Sequence, residues 1–103
     1  MAGKTVSEKS IEDYLRLRVK QAGGRAYKFV SPGNAGVPDR LAILPGGRIA
    51  FVELKAPGKK PTALQQKKIQ ELRSLGVLVT WADSREAVDR IFVELLAEKA
   101  GTQ

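Results

Sequence analysis

The 103-residue chain contains no cysteine and no histidine. Without cysteine there are no disulfides and no thiolate metal sites, which fits a cytosolic protein. Without histidine there is no imidazole base, no Ser-His-Asp triad, no His-ligated zinc and no HNH-type centre. Any metal here must be held by oxygen, which points to Mg²⁺ or Mn²⁺. Long apolar runs are missing too: none approaches membrane-spanning length, and the N-terminal segment MAGKTVSEKS has no secretion-type apolar stretch. No membrane partner is expected. Acid is scarce relative to base, with 11 Asp+Glu against 18 Lys+Arg, a formal charge of +7 and a pI near 10.0. That balance favours a polyanionic partner. The length suits one domain over residues 1–103 with a small core. A polymeric substrate would therefore lie on the surface or across a dimer.

The order of elements reads α-β-β-β-α-β-α. Thr5 with Glu8 has the pattern of a capping box and opens a helix over about residues 6–22, with Ile11, Leu15, Val19 and Ala22 as its apolar stripe. Gly23-Gly24 ends it. Arg25 to Val30 alternates as a strand, and Ser31 to Pro38 is a loop rich in glycine and proline. Arg40 to Leu44 is a second strand, Pro45-Gly46-Gly47 a hairpin turn, and Arg48 to Lys55 a third strand whose apolar run suits the sheet centre. Thr62 with Gln65 caps a helix that runs to Leu75 and stops at Gly76. Val77 to Trp81 is a fourth strand. Asp83 with Glu86 caps a last helix that turns Ala87, Val88, Ile91, Phe92 and Leu95 inward. The expected fold is α/β, with a mixed central sheet of about four strands: an antiparallel meander, then a helical crossover to a parallel strand.

The chemistry concentrates in Gly36-Val37-Pro38-Asp39 and Glu53-Leu54-Lys55. Side chains two apart in a strand share a face, so Glu53 and Lys55 point the same way, after Ile49 and Phe51. The Leu54 backbone carbonyl lies between them and is a candidate metal ligand. Asp39, at the far end of the hairpin, falls near Glu53. Parity decides whether it shares their face. A two-residue turn at Gly46-Gly47 pairs Asp39 with Leu54, on the wrong side, whereas a three-residue turn pairs it with Lys55 and brings all three together. The odd loop, or a bend at Pro38, is expected. Two carboxylates then hold one hard cation beside a lysine, as metal-dependent phosphodiester hydrolysis requires.

These residues resemble those of the VRR-NUC nucleases, a branch of the PD-(D/E)XK superfamily. The likeness spans roughly residues 6–95 and rests on Gly36-Val37-Pro38-Asp39, on Gly46-Gly47-Arg48 leading to Phe51-Val52-Glu53-Leu54-Lys55, on a glutamine in the next helix, and on Leu72 and Gly76. The short phage-type members are the most similar. The resemblance implies a PD-(D/E)XK nuclease-like fold and a metal-dependent, structure-selective DNA endonuclease using Mg²⁺ or Mn²⁺. Its substrates would be branched DNA such as Holliday junctions or flaps, in repair, recombination or replication. It also implies a homodimer, working in the bacterial host cytoplasm if phage-encoded. Carried over, Asp39 and Glu53 are metal ligands and Lys55 the catalytic lysine. The helix glutamine is Gln65 or Gln66, with Gln65 preferred for its spacing to Leu72 and Gly76. The family's first-helix glutamate is Glu8 or Glu12. Glu12 is preferred because Glu8 already has a capping role.

Lys59 and Lys60, in the proline-flanked loop after the third strand, are the leading phosphate contacts, joined by Lys67 and Lys68 on the following helix. Arg16, Arg18, Lys20, Lys28 and Arg40 are further candidates. Tyr27 and Trp81 are able to stack on bases, but the position of Trp81 at a strand end favours a core or dimer role. No recognition helix or zinc-finger pattern is present, so base reading is not expected.

Overall fold

The computed structural model describes residues 6–101. Its elements are α1 (Glu8–Gln21), β1 (Arg25–Lys28), β2 (Arg40–Leu44), β3 (Arg48–Leu54), α2 (Ala63–Ser74), β4 (Leu78–Ala82) and α3 (Arg85–Gly101). The order along the chain is the expected one. The sheet runs β1-β2-β3-β4, with β1, β2 and β3 antiparallel and β3 parallel to β4 across the α2 crossover. No helix among the described residues is long and apolar enough to cross a membrane.

Strand parity divides the sheet into two unlike faces. Ala42, Leu44, Ala50, Val52, Leu54 and Ala82 point to one side and are buried under α1 and α3. The α1 contribution is Ile11, Leu15 and Val19, each fully buried and each contributing about 1.5–3 kcal/mol of transfer free energy. From α3 come Ala87, Val88, Ile91, Phe92 and Leu95, all five as expected. Arg18 ties the two helices together: it pairs with Asp89 and lies over the rings of Phe92 and Tyr14. This cation is therefore part of a helix–helix seam and not of a nucleic-acid surface. The opposite face carries Ile43, Ile49, Phe51 and Glu53. It is covered mainly beside β4, where Ile69 of α2 and Val79 are buried.

Several local readings are corrected. The cap of α1 is Ser7, whose side chain accepts from the Ser10 amide in a reciprocal box with the Ser10 hydroxyl. Thr5, the expected partner of Glu8, lies outside the described residues. Ala22 follows the helix and is exposed, so the stripe ends at Val19. The cap of α3 is Ser84, which accepts from the Ala87 amide at 3.0 Å. Asp83 instead accepts from the Gly58 amide at 3.3 Å and so fastens the basic loop to the end of β4. β1 ends at Lys28, although one further bond, Phe29 N to Asp39 O at 2.8 Å, continues the pairing.

The hairpin loop is odd, as expected, but closes one position earlier. Leu44 pairs with Arg48, leaving Pro45-Gly46-Gly47 as the loop. Proline has no N–H to give the ladder, so pairing stops at Leu44. Gly46 and Gly47 then take φ of 87° and 78°, which side chains disfavour. Asp39 consequently stands opposite Glu53, not Lys55, one step beyond the Arg40–Val52 pair. Parity is unchanged, and Asp39, Glu53 and Lys55 share a face.

Candidate active site

The site is built at the end of β3, where an apolar strand delivers Glu53 and Lys55 beside the bend that carries Asp39. Glu53 is only 5% exposed. Its Oε2 lies 3.6 Å from Lys55 Nζ and accepts from Gln65 Nε2 at 3.1 Å. Burial, reinforced by the neighbouring Asp39 charge and eased by Lys55, raises the Glu53 carboxyl to about 7. The Asp39 Oδ1 is buried without a hydrogen-bond donor. A carboxylate oxygen kept from water and given no donor is costly unless a cation meets it. The Asp39 and Glu53 carboxylates, on facing positions of paired strands, are a donor set suited to a hard divalent ion. Among the described residues no group of three or more acidic side chains is arranged to hold a metal. Further ligands would come from the Leu54 carbonyl, from water and from the substrate phosphate, as is usual for Mg²⁺.

Gln65 has two jobs at once. Its Oε1 accepts from the Thr62 amide at 2.9 Å, completing the cap of α2, while its Nε2 donates to Glu53. The cap fixes which end of the amide faces the carboxylate. Gln66 turns elsewhere, donating to the Pro61 carbonyl at 3.0 Å. The preference for Gln65 thus agrees with the geometry around Glu53.

The first-helix glutamates occupy different surroundings. Glu12 lies 2.8 Å from Arg40, which is 8% exposed. Arg40 in turn donates to the Asp39 carbonyl at 2.9 Å and lies 3.8 Å from the Asp39 carboxylate. Arg40 therefore bridges Glu12 and Asp39. Glu8, a helical turn earlier and exposed, is the one whose charge contributes to raising Glu53. Arg40 was a candidate phosphate contact, and its burial in this ion pair removes it from that role. The signal was available: Arg40 pairs with Val52 and so shares its core-facing parity, which demands a buried partner.

Gly36 explains how the loop carrying Asp39 is held. Its φ is 87°, and a Cβ there would lie 2.9 Å from the Leu64 side chain and 3.1 Å from the Leu64 carbonyl. The loop packs directly on the first turn of α2, the turn that also positions Gln65. Gly36→Ala is expected to leave the fold intact, lower the melting temperature by a few degrees, and reduce cleavage by about 100-fold through displacement of Asp39. Thermal melts read beside cleavage rates check both parts.

The cations fall into groups. Lys59 and Lys60 are exposed on the loop held by Asp83, and Lys67 is exposed on α2. Lys68 pairs with Glu71 at 3.3 Å. Arg16, Lys20 and Arg25 line an open cleft of about 520 Å³ between α1 and β1. Trp81, expected in the core or a seam, is only partly buried and borders two grooves.

No family model matches the chain. A curated relative named "Putative nuclease p44", from Acyrthosiphon pisum secondary endosymbiont phage 1, is 52% identical over 83 residues, covering 81% of this chain and 89% of its own. A solved structure described as "VRR_NUC domain" superposes with a TM-score of 0.76 at 34% identity, covering 82% of this chain and 92% of the other. A second, "VRR_NUC domain protein", gives 0.72 at 18% identity over 91% of both chains and supports the fold alone. The level of identity, the coverage and the shared α/β architecture agree with the residues gathered around Glu53: this chain belongs to the VRR-NUC family of nucleases in the PD-(D/E)XK superfamily.

Proposed function

We propose that this nuclease is a divalent-cation-dependent, structure-selective DNA endonuclease whose substrates are branched, such as flaps or four-way junctions. The observation that carries the reading is the pairing of Asp39, with its orphaned buried oxygen, and Glu53, held partly protonated near neutrality, beside Lys55. Asp39, Glu53 and the Leu54 carbonyl would hold the cation. Bound there, Mg²⁺ or Mn²⁺ supplies polarisation of the scissile phosphate and a more acidic water.

The chain's own residues do the rest. Gln65 orients Glu53 by donating to it. Arg40, gripped by Glu12, holds the Asp39 backbone. Lys55 places its ammonium where negative charge develops on the phosphate, the point at which electrostatic help is most effective. Glu8, whose charge is felt at Glu53, is assigned as the helix carboxylate of the site, and Glu12, paired with Arg40, as a positioning residue. Lys59, Lys60 and Lys67 contact phosphates, with Lys68 beside them. A Lys59→Ala/Lys60→Ala double variant should bind more weakly on all DNA sequences and flatten the salt dependence of log K by about 1–2 units of slope. Its rate at saturating DNA should barely change. Equilibrium binding across a salt series checks this.

Junction resolution needs two cuts placed symmetrically, which a two-fold homodimer supplies. Val93 and Leu96 on α3, 66% and 56% exposed, are apolar side chains that a second copy would cover. The proposal as a whole is tested on a labelled panel of duplex, single strand, flap, splayed arm and four-way junction with Mg²⁺, Mn²⁺ or EDTA. Metal-dependent cuts concentrated on branched substrates support it. Binding without cleavage in any metal would point to a non-catalytic domain, and cuts at one duplex sequence to a restriction-type enzyme.

A further inference from the structure

A cleft of about 260 Å³ opens between α2 and the end of β4, lined by Lys60, Pro61, Gln66, Ile69, Gln70, Arg73 and Trp81. Pro61 and Ile69 are buried and form an apolar floor, with the partly exposed indole of Trp81 beside them. Gln66 and Gln70 bring two amides, each able to donate and accept. The Gln66 Nε2 already donates to the Pro61 carbonyl, which fixes its direction. Arg73 is held by its Nε, which donates to Val79 O at 2.8 Å, and Lys60 stands at the mouth. An aromatic wall, two amides and two cations are the groups that recognise a base and its phosphate.

The strand that carries Trp81 also lies beside the one that carries Glu53. Trp81 is the register partner of Glu53 across the parallel β3–β4 pair, so the two backbones are neighbours at about 4.8 Å. Lys60 belongs to the loop that leaves β3 directly after Lys55. Glu53 and Trp81, of like parity on paired strands, stand on the same face of the sheet.

Resting on the nuclease reading above, we propose that this cleft is a pocket for one unpaired nucleobase flanking the scissile phosphate, stacked on Trp81, with the amides of Gln66 and Gln70 at its edge and Lys60 at its phosphate. The volume lies below the roughly 300–1,000 Å³ of ordinary small-molecule clefts. It suits a single base and not a stacked run. A base within a duplex is stacked on both faces and paired at its edge, so it offers the indole nothing. The pocket therefore selects DNA that has an unpaired nucleotide beside the cut, which gives structure selectivity a physical basis in this chain.

Trp81 is the sole tryptophan, and its fluorescence reports the contact directly. The test titrates the protein in EDTA, where no cleavage occurs, with three labelled DNAs: a duplex with a single-stranded tail, the same DNA with abasic sites throughout the tail, and a blunt duplex. Anisotropy of the label reads binding in parallel. The tailed DNA should quench Trp81 saturably, while the abasic tail and the blunt duplex bind with far less quenching. Trp81→Ala should weaken binding of the tailed DNA by about 5- to 100-fold and leave the blunt duplex unaffected, with Trp81→Phe recovering most of the loss. Gln70→Ala, on an exposed helix position, should weaken the tailed DNA alone by a few-fold. Equal quenching by the abasic tail, binding without quenching, or no binding to any of the three DNAs would overturn the pocket. Failure of the nuclease reading shows separately, as absent cleavage in Mn²⁺ with base-dependent quenching intact.

Discussion

Glutamine at position 53 will abolish cleavage and, without a divalent cation, stabilise the protein above pH 7. On the proposed reading, the loss follows from removing one of the two carboxylates that would hold the cation. Outer partners of metal ligands are worth 10–100-fold, so a ligand itself should be worth about 1,000-fold or more. The gain follows from linkage. Glu53 holds its proton up to about pH 7 in the folded protein, against 4.5 for the free group, because burial and Asp39 oppose its charge. The folded state therefore binds more protons than the unfolded chain between these values. Stability from this group is fully present below pH 4.5 and is lost as pH rises through 7. The difference corresponds to up to about 3 kcal/mol. Glu53→Gln carries no charge to bury and escapes the loss, apart from its contact with Lys55. Urea melts at pH 5 and pH 8 with EDTA check the prediction. The wild type should weaken between them by more than the variant does. Mn²⁺ should restore the wild type at pH 8 and leave Glu53→Gln unchanged.

The second large effect is expected at Lys55. Lys55→Met should reduce cleavage by about 100- to 1,000-fold, the range associated with losing one charge-stabilising group, while cation binding survives. The ammonium, 3.6 Å from the carboxylate, lowers the Glu53 carboxyl through its charge. Its removal lets that carboxyl rise further, so the pH above which Mn²⁺ stabilises the protein should move up. A metal-ligand variant and a lysine variant are thereby separable: both are inactive, but one alone retains a pH-shifted thermal response to Mn²⁺. An unshifted response in Lys55→Met would mean that the lysine does not act on Glu53.

The strand order, the parallel crossover and the convergence of Asp39, Glu53 and Lys55 were legible because each rests on short-range pattern. Alternation assigns faces, glycine and proline mark turns, and an apolar run identifies β3 as an inner strand. Gln65 was legible as the cap partner of Thr62, but that the same amide also donates to Glu53 needed coordinates. What escaped depends on partners distant in sequence. Ser84 displaced Asp83 as the cap of α3 because Ser84 faces the first turn of that helix, while Asp83 is drawn to the Gly58 amide on another segment. Arg40 looked like a surface cation until α1 supplied Glu12 across the sheet. Trp81 looked like core until α2 proved to cover the sheet beside it and leave the indole open. Pro45 moved the hairpin register by a full step without changing the faces, so the site assembled as expected although the pairing differed.

On the proposed reading, Asp39 and Glu53 share one divalent cation. Calorimetric titration of metal-free protein with Mn²⁺ at pH 8 tests it most directly, comparing the wild type with Asp39→Asn, Glu53→Gln and Lys55→Met. The account predicts a saturable site in the wild type that disappears in both carboxylate variants and persists in Lys55→Met. Undiminished Mn²⁺ binding in Asp39→Asn or Glu53→Gln would contradict it.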